Sequence, residues 1–503
     1  MRPPLKGEHR TVDEAFVAAA EQFADRVAYV EGTRRLSFGE WYRRSDALAT
    51  VMRRQGIGSG DVVAIMLPPS IDYAIALGAV VLLGGVATGF NTRLGPREIS
   101  GIVGRCSPRA VVLDEGVVSG DVRHQLGGSI ILPRSTIDES SGANGLTGPR
   151  STRSPTDPAV IIWTSGTTGI PKGAWFDHVG LRAAVDSAGV MSAGFDVKLV
   201  STPFAHAGYM GKLWDQLAWV TTSVISPQPW SAADMERLMI DERITVAGGV
   251  PTQWAKLLER PGIESADFSR VRVGLVATAP APPELIERVA QVIGCPLVVR
   301  YAMTESPSIT GTEPDDPPEV QFRTVGRAQK GMEVAVVGDD GAPVSSGEVG
   351  RVRVRGTCVM RGYWNDDEST RAALPGDGWL ETSDLGRFDE KGNLVLVGRS
   401  NDMYIRGGYN VYPLEVENVL AEHPAVDRAA VVGIPAPVIG EIGVAFVVVR
   451  AGSPGPGIDE LRSWVTSRLS DYKSPDRVIV VDDLPLTPMM KVDRVELVRR
   501  AAG

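Results

Sequence analysis

Trp163-Thr164-Ser165-Gly166-Thr167-Thr168-Gly169-Ile170-Pro171-Lys172-Gly173 begins where an apolar run, Ala159-Val160-Ile161-Ile162, stops. A short apolar run of this kind predicts a buried strand that delivers the chain into the loop. Gly166, Gly169 and Gly173 let the backbone turn tightly and approach a ligand, because no Cβ intervenes. The pairs Thr164-Ser165 and Thr167-Thr168 add hydroxyl donors, and Lys172 adds a positive charge. Backbone N–H groups turned inward beside hydroxyls and a lysine suit phosphate oxygens. Ser, Thr and Gly also make ordinary polar turns. Here almost every position either donates to an anion or makes room for one. The pattern is not a Walker A loop, which needs Gly-Lys followed by Ser or Thr. Leu213 follows the single Gly-Lys pair, Gly211-Lys212.

With 503 residues the chain exceeds what one hydrophobic core usually serves, so two or more domains are expected. Hydrophobic residues make up 43% and charged residues 22%, an ordinary balance for a globular protein. A formal net charge of -9 argues against nucleic acid or an anionic membrane as partner. Cys106, Cys295 and Cys358 are scattered without metal-ligand spacing, which fits small buried hydrophobes in a reducing compartment. The polar start of the chain lacks the apolar core of a signal peptide. The longest uncharged run, Ala74 to Phe90, is broken by Gly78, Gly84, Gly85 and Gly89 and is short for a membrane span of about 20 residues. A buried helix followed by a strand is expected there, and a cytoplasmic location for the whole.

An amphipathic helix is predicted over Val12 to Arg26 and a strand over Val27 to Val30. Ser37 and Glu40 have capping-box spacing at the head of a helix reaching Arg54. Strands at Val62–Leu67 and Ala110–Leu113, with a helix at Ile71–Leu83 between them, announce a parallel sheet covered by helices. Pro133 to Pro158 reads as a surface connection rich in Ser, Gly, Thr and Pro. Further strands are expected at Leu199–Thr202, Thr221–Ile225, Ile244–Gly248 and Val271–Ala277. From Val334 to Val397 the alternation becomes that of antiparallel strands in a small barrel or sheet. Mixed α and β returns after Arg399, with helices near Pro413–His423 and Ile458–Leu469.

The loop resembles the signature loop of the adenylate-forming superfamily, which comprises acyl- and aryl-CoA ligases, peptide-synthetase adenylation domains and luciferases. Further segments resemble that family's motifs in order, over essentially the whole chain. Tyr301-Ala302-Met303-Thr304-Glu305 is similar to its Tyr-Gly-Met-Thr-Glu. The resemblance implies that Tyr301 stacks on adenine, Thr304 bonds the α-phosphate and Glu305 ligates Mg²⁺, a hard cation suited to carboxylate oxygen. Ala302 adds a methyl group where the family has Gly. Thr382-Ser383-Asp384 is similar to Thr-Gly-Asp, in which Asp384 accepts both ribose hydroxyls. Gly398-Arg399-Ser400-Asn401-Asp402 implies ribose or phosphate contact for Arg399 and a hinge at Asn401. Gly407, Gly408 and Tyr409 stand where relatives pass the CoA arm, and a hairpin turn is an equally good account of the glycine pair.

Leu486-Thr487-Pro488-Met489-Met490-Lys491-Val492-Asp493-Arg494 resembles the closing motif, with Lys491 bridging acyl carboxylate and α-phosphate. Met489 and Met490 replace the usual Thr-Gly. Pro203-Phe204-Ala205-His206 implies His206 beside the substrate carboxylate; His178 receives no chemistry. The nucleotide site implied by resemblance thus takes in Thr164, Ser165, Gly166, Thr167, Thr168, Gly169, Lys172, Thr278, Ala279, Tyr301, Ala302, Asp384 and Arg399. Residues 207 to 212, 249 to 252 and 276 to 281 should line the acyl pocket. Ala277, Thr278 and Ala302 point to a pocket shaped away from a straight long chain.

The expected architecture is α/β: a large N-terminal body of two α/β subdomains plus a small β-barrel-like subdomain, residues 1–400, and a mobile C-terminal α+β domain, residues 401–503. The implied function is ATP-dependent joining of a small-molecule carboxylic acid to coenzyme A through acyl-AMP, with ATP, Mg²⁺ and coenzyme A as cofactors and co-substrates. A stand-alone enzyme that loads a carrier protein and a non-catalytic nucleotide-binding relative stay open at this point. So does oligomeric state, a homodimer being compatible.

Overall fold

Four apolar runs, Pro158–Trp163, Val86–Gly89, Val62–Met66 and Ala110–Leu113, lie side by side as parallel strands in the computed structural model. The structure describes residues 2–116, 118–140, 153–164, 171–276, 283–400, 402–450, 452–487 and 492–502. Among the described residues the strands form four sheets. Ile130–Pro133 extends the first sheet in parallel, while Gly173–Asp177 and Gly362–Tyr363 join its other edge antiparallel, making seven strands. Strands buried on both faces need continuous apolar residues, and these runs supply them.

The second sheet has nine strands. Six are parallel: Leu297–Met303, Val273–Val276, Val246–Gly249, Val197–Val200, Thr222–Ile225 and Val27–Glu31. Antiparallel strands close both edges, Ser306–Gly311 and Arg327–Ala328 on one side and Arg34–Ser37 on the other. Every residue of the helix Ile71–Leu83 is buried. A helix apolar on all sides belongs in a core, and the neighbouring helix Phe38–Arg54 grips it through Trp41 Nε1 donating to Ala74 O at 2.8 Å. Among the described residues no helix is long and apolar enough to cross a membrane.

A four-stranded antiparallel sheet follows, Met332–Val337, Gly350–Gly356, Leu380–Phe388 and Leu394–Arg399, within the region expected to hold a small barrel or sheet. The C-terminal five-stranded sheet is built on the long hairpin Val426–Ala436 and Gly440–Val449, with helices Pro413–Ala421 and Ile458–Thr466. Its two core clusters, one around Val416, Leu420 and Leu461 and one around Leu484 and Leu497, are distinct from those of the preceding sheets.

Two local expectations are corrected. The first helix ends at Gln22 rather than Arg26. Phe23 leaves helical geometry to set its ring edge-on to Phe195, and the Arg26 guanidinium lies 4.2 Å above the same ring. Tertiary packing there outweighs helix periodicity. Within the supposed surface connection, Ser135–Glu139 forms a helical turn because Ile137 docks into the core, 1% exposed. Of the capping box predicted at Ser37, the hydroxyl half forms, accepting from Glu40 N–H at 3.2 Å.

Candidate active site

The Gly-rich loop joins two antiparallel neighbours, Pro158–Trp163 and Gly173–Asp177, with Trp163 opposite Gly173. It therefore closes a hairpin rather than opening a helix. Its two ends are tied together: Thr164 N–H donates to Lys172 O at 2.9 Å and Lys172 N–H to Thr164 Oγ1 at 3.3 Å. Ser165, Gly166, Thr167, Thr168 and Gly169 lie outside the described residues. Trp163 Nε1 donates to Thr88 Oγ1 at 2.7 Å, anchoring the loop to the parallel strand beside it.

Thr304 and Glu305 form the turn between Leu297–Met303 and Ser306–Gly311, where Met303 faces Ser306. A turn at the end of parallel strands, outside their carboxyl ends, is where open α/β sheets place ligands. Ala302 is exposed and both turn residues are half-buried. Tyr363 donates its hydroxyl to Glu305 Oε1 at 2.7 Å, and Lys172 Nζ sits 5.3 Å over the Tyr363 ring. Met360 N–H donates to Glu305 O at 2.8 Å, fixing the turn from the same segment. Lys172, Tyr363 and Glu305 thus come together. Sequence reasoning missed Tyr363; its signal lay in Gly362-Tyr363, two residues too short to read as a strand, which pair with Ala174 and Trp175.

Tyr301 donates its hydroxyl to Asp384 Oδ2, and Arg399 Nε donates to Asp384 Oδ1 at 3.0 Å. Asp384 and Arg399 face each other across strands Leu380–Phe388 and Leu394–Arg399. Burial, with Asp384 beside it, pushes the Tyr301 hydroxyl well above its ordinary pKa, so it remains a donor. An ionised carboxylate accepts about four hydrogen bonds, so Asp384 keeps capacity after receiving these two.

His206 caps the short helix Ala207–Met210, its Nδ1 accepting from Gly208 N–H at 3.2 Å. Phe204 stacks flat on Tyr209 with ring centroids 3.6 Å apart. Ala205 abuts Gly89, at the end of the strand whose Thr88 holds Trp163, which brings the His206 segment beside the loop's root. Thr278, Ala279, Asn401 and Lys491 lie outside the described residues.

Gly407 and Gly408 make the two-residue turn between Tyr404–Arg406 and Tyr409–Val411, with φ of +58° and +85°. Two successive left-handed residues are the demand of a type I′ hairpin, and glycine meets it without strain. Tyr409 stacks on Tyr472 at 4.5 Å and is 58% exposed. Among the described residues this hairpin makes no hydrogen bond or ring contact with Lys172, Tyr301, Glu305, Tyr363, Asp384 or Arg399.

Residues 16–364 match the family model described as AMP-binding enzyme, and residues 415–491 match that of the AMP-binding enzyme C-terminal domain. The chain belongs to the AMP-binding, adenylate-forming enzymes. Similar curated proteins include a methyl-dioxo-octahydroindenyl-propanoyl:CoA ligase of Rhodococcus jostii, 32% identical across 96% of this chain and 97% of that one. A feruloyl-CoA synthase of an Amycolatopsis species is 32% identical across 96% and 98%. Among solved structures, ATP-bound MatB from Rhodopseudomonas palustris superposes with a TM-score of 0.87 at 27% identity, covering 97% of this chain and 99% of that one. Within the adenylate-forming enzymes it is an acid–thiol ligase of the acyl-CoA synthetase group, using ATP and CoA. It forms acyl-AMP with pyrophosphate release, then the CoA thioester with AMP release. The α/β body and the C-terminal α+β unit are the architecture these enzymes share.

Proposed function

We propose that the adenylation step is carried by the two clusters mounted on the single hairpin 297–311. Lys172 and the loop's hydroxyls hold the ATP phosphates, and Asp384 takes the ribose hydroxyls while Tyr301 and Arg399 orient it. Tyr301 presents its ring to adenine, and Thr304 bonds the α-phosphate. The observation that supports this most directly is the Tyr363–Glu305 bond beneath Lys172, which sets a carboxylate and an ammonium on either side of one phenol. Oppositely charged groups side by side suit a triphosphate with its counter-ion.

Glu305 fits a magnesium role, since Mg²⁺ takes one or two carboxylates and completes its shell with phosphate oxygens and water. Among the described residues no group of three metal-ligating side chains occurs, so the ion would share its ligands with the nucleotide. Bound there, Mg²⁺ would neutralise phosphate charge as pyrophosphate leaves. Catalysis then rests on positioning and electrostatics: the acid is held in line with the α-phosphorus, His206 beside its carboxylate and Lys491 across the forming bond.

For the second step we propose that residues 401–503 rotate about Asn401 against residues 1–400, bringing Gly407, Gly408 and Tyr409 to the CoA arm. The glycine turn is thin, exposed and separate from the ATP cluster, as such a passage needs. A cytoplasmic location accords with three buried, unbridged cysteines. Nucleic acid is not a partner on this reading, the net charge being -9.

Mass spectrometry on the purified protein with MgATP, CoA and pooled carboxylic acids tests the scheme. Acyl-CoA that requires both ATP and Lys491 is expected. Acyl-AMP without acyl-CoA would contradict the proposed second step.

A further inference from the structure

We infer that the acyl pocket is built for an acid carrying a second carboxylate at the far end of its acyl group, received by Lys212 with Arg300 as the cation behind it. The inference rests on the proposal that residues 207 to 212 line that pocket. Lys212 begins the helix Leu213–Trp219, immediately after the helix capped by His206. A Cβ on the adjacent Gly211 would come within 3.1 Å of Pro307 Cγ, two residues beyond Glu305. Arg300 directly precedes Tyr301 on the other strand of the same hairpin. Both cations therefore flank the site through its own elements.

Neither has a full partner. Among the described residues the Lys212 ammonium makes no hydrogen bond or ion pair. Its neighbour Asp215 is committed through Oδ2 to Lys198 Nζ and Ser192 Oγ, each at 2.9 Å, and the other oxygen is buried without a partner. Both terminal nitrogens of Arg300 are buried without a hydrogen bond that meets normal geometry, and its ion pair with Glu313 is a long one, 3.5 Å from Nη1. The chain makes space for this arginine: a Cβ at Gly311 would overlap the guanidinium, and one at Gly189 would come within 3.4 Å of it. Among the described residues Lys198, Lys212, Arg300 and Arg327 face Asp215, Glu313 and Asp316, leaving one positive charge in excess.

A buried charge without a partner is costly, and the cost disappears when an opposite charge arrives. Burial lowers the Lys212 pKa, with Lys198 and Arg300 lowering it further and Asp215 and Cys358 opposing. Lys212 nevertheless stays half-buried rather than sealed. An apolar acyl tail would leave the excess charge facing hydrocarbon. A distal carboxylate supplies the missing negative charge and leaves the first carboxylate free for adenylation.

The test compares matched acids, hexanoate with adipate, octanoate with suberate and benzoate with terephthalate, by kcat/KM for pyrophosphate release. In at least one pair the wild-type enzyme should prefer the dicarboxylate by about tenfold or more, since a site with charged donors discriminates against an analogue that leaves them unpaired. Lys212→Met should collapse that preference, raising KM for the dicarboxylate and lowering it for its partner. Arg300→Met should weaken the preference less. Melting of the ligand-free proteins gives a second readout: Lys212→Met should raise Tm, because it removes an uncompensated charge. Preference for the monocarboxylate in every pair, equal losses on both members, or a lowered Tm overturns the assignment. Absence of pyrophosphate release from all six acids would count against the proposed chemistry of the site, and the melting readout would still decide the role of Lys212.

Discussion

Tyr301 donates its hydroxyl to Asp384 across 83 residues of sequence. On the proposed assignment, the side chain offered to adenine also aims the carboxylate offered to ribose. Arg399 holds the opposite carboxylate oxygen at 3.0 Å, so Asp384 is restrained on both sides before ATP arrives. A hydrogen bond to a charged group is worth about 1.5–3 kcal/mol. Tyr301→Phe keeps the ring and removes only this restraint; because the bond forms with or without ATP, only part of that energy bears on binding, and KM for ATP should rise by roughly three- to tenfold with a smaller change in kcat. Asp384→Asn should raise it further. Steady-state kinetics at varied ATP decides this. A Tyr301→Phe enzyme with unchanged ATP affinity would show that Asp384 needs no such aiming.

Tyr363→Phe should shift the Mg²⁺ dependence of pyrophosphate release. Losing the 2.7 Å bond leaves Glu305 Oε1 without its donor, and the activation midpoint for Mg²⁺ should rise by about three- to tenfold. Tyr363→Leu also removes the ring beneath Lys172, and with it a cation–π contact worth about 0.5–1 kcal/mol at an exposed site. It should weaken ATP binding as well. A magnesium titration at saturating ATP reads the first effect and an ATP titration at saturating magnesium the second; midpoints unchanged from the wild type in both variants would remove Tyr363 from the site.

Lys491→Ala should suppress acyl-AMP formation far more than thioester formation from supplied acyl-AMP. The converse split is expected at Gly408, where φ is +85° and a Cβ would meet nothing within 4 Å. Gly408→Asn, a residue that tolerates left-handed backbone, should retain the hairpin and much of the thioester step. Gly408→Leu should impair CoA transfer while sparing adenylation. Equal loss of both half-reactions in each variant would speak against two conformations.

Acid stability should depend on His178. Its Nδ1 accepts from Val12 N–H at 3.1 Å, and burial lowers its pKa below the ordinary 6.5. The unfolded chain takes up a proton near pH 6.5 that the folded protein refuses, so this stabilisation is complete above that pH. It is lost as pH falls through the lowered folded value. Melting temperatures between about pH 8 and 5 should fall less steeply in His178→Asn than in the wild type. Parallel curves would mean that His178 titrates alike in both states.

The sheet-forming runs, the helix Ile71–Leu83 and the cap at Ser37 were legible in the chain because each is a local pattern. Apolar runs, periodicity and a hydroxyl three residues from a free N–H act within a few residues of themselves. The motif residues were recognised by resemblance, and among the described ones the structure brings Lys172 together with Glu305, and Tyr301 with Asp384 and Arg399. The paired glycines at 407 and 408 even allowed their hairpin to be anticipated, since few other residues accept two left-handed positions in succession.

Partnerships were not legible. Tyr363 meets Glu305 across 58 residues, and Tyr301 meets Asp384 across 83, because separate strands bring them together. No local rule scores a tyrosine for the carboxylate it will meet. Phe23 left its helix for Phe195, and Ile137 pulled a supposed surface segment into the core, for the same reason. The excess charge at Lys212 and Arg300 likewise exists only in three dimensions. In the chain they are two ordinary cations; folding buries them near three carboxylates, two of them already committed to Lys198 and Arg327, and desolvation makes the imbalance matter.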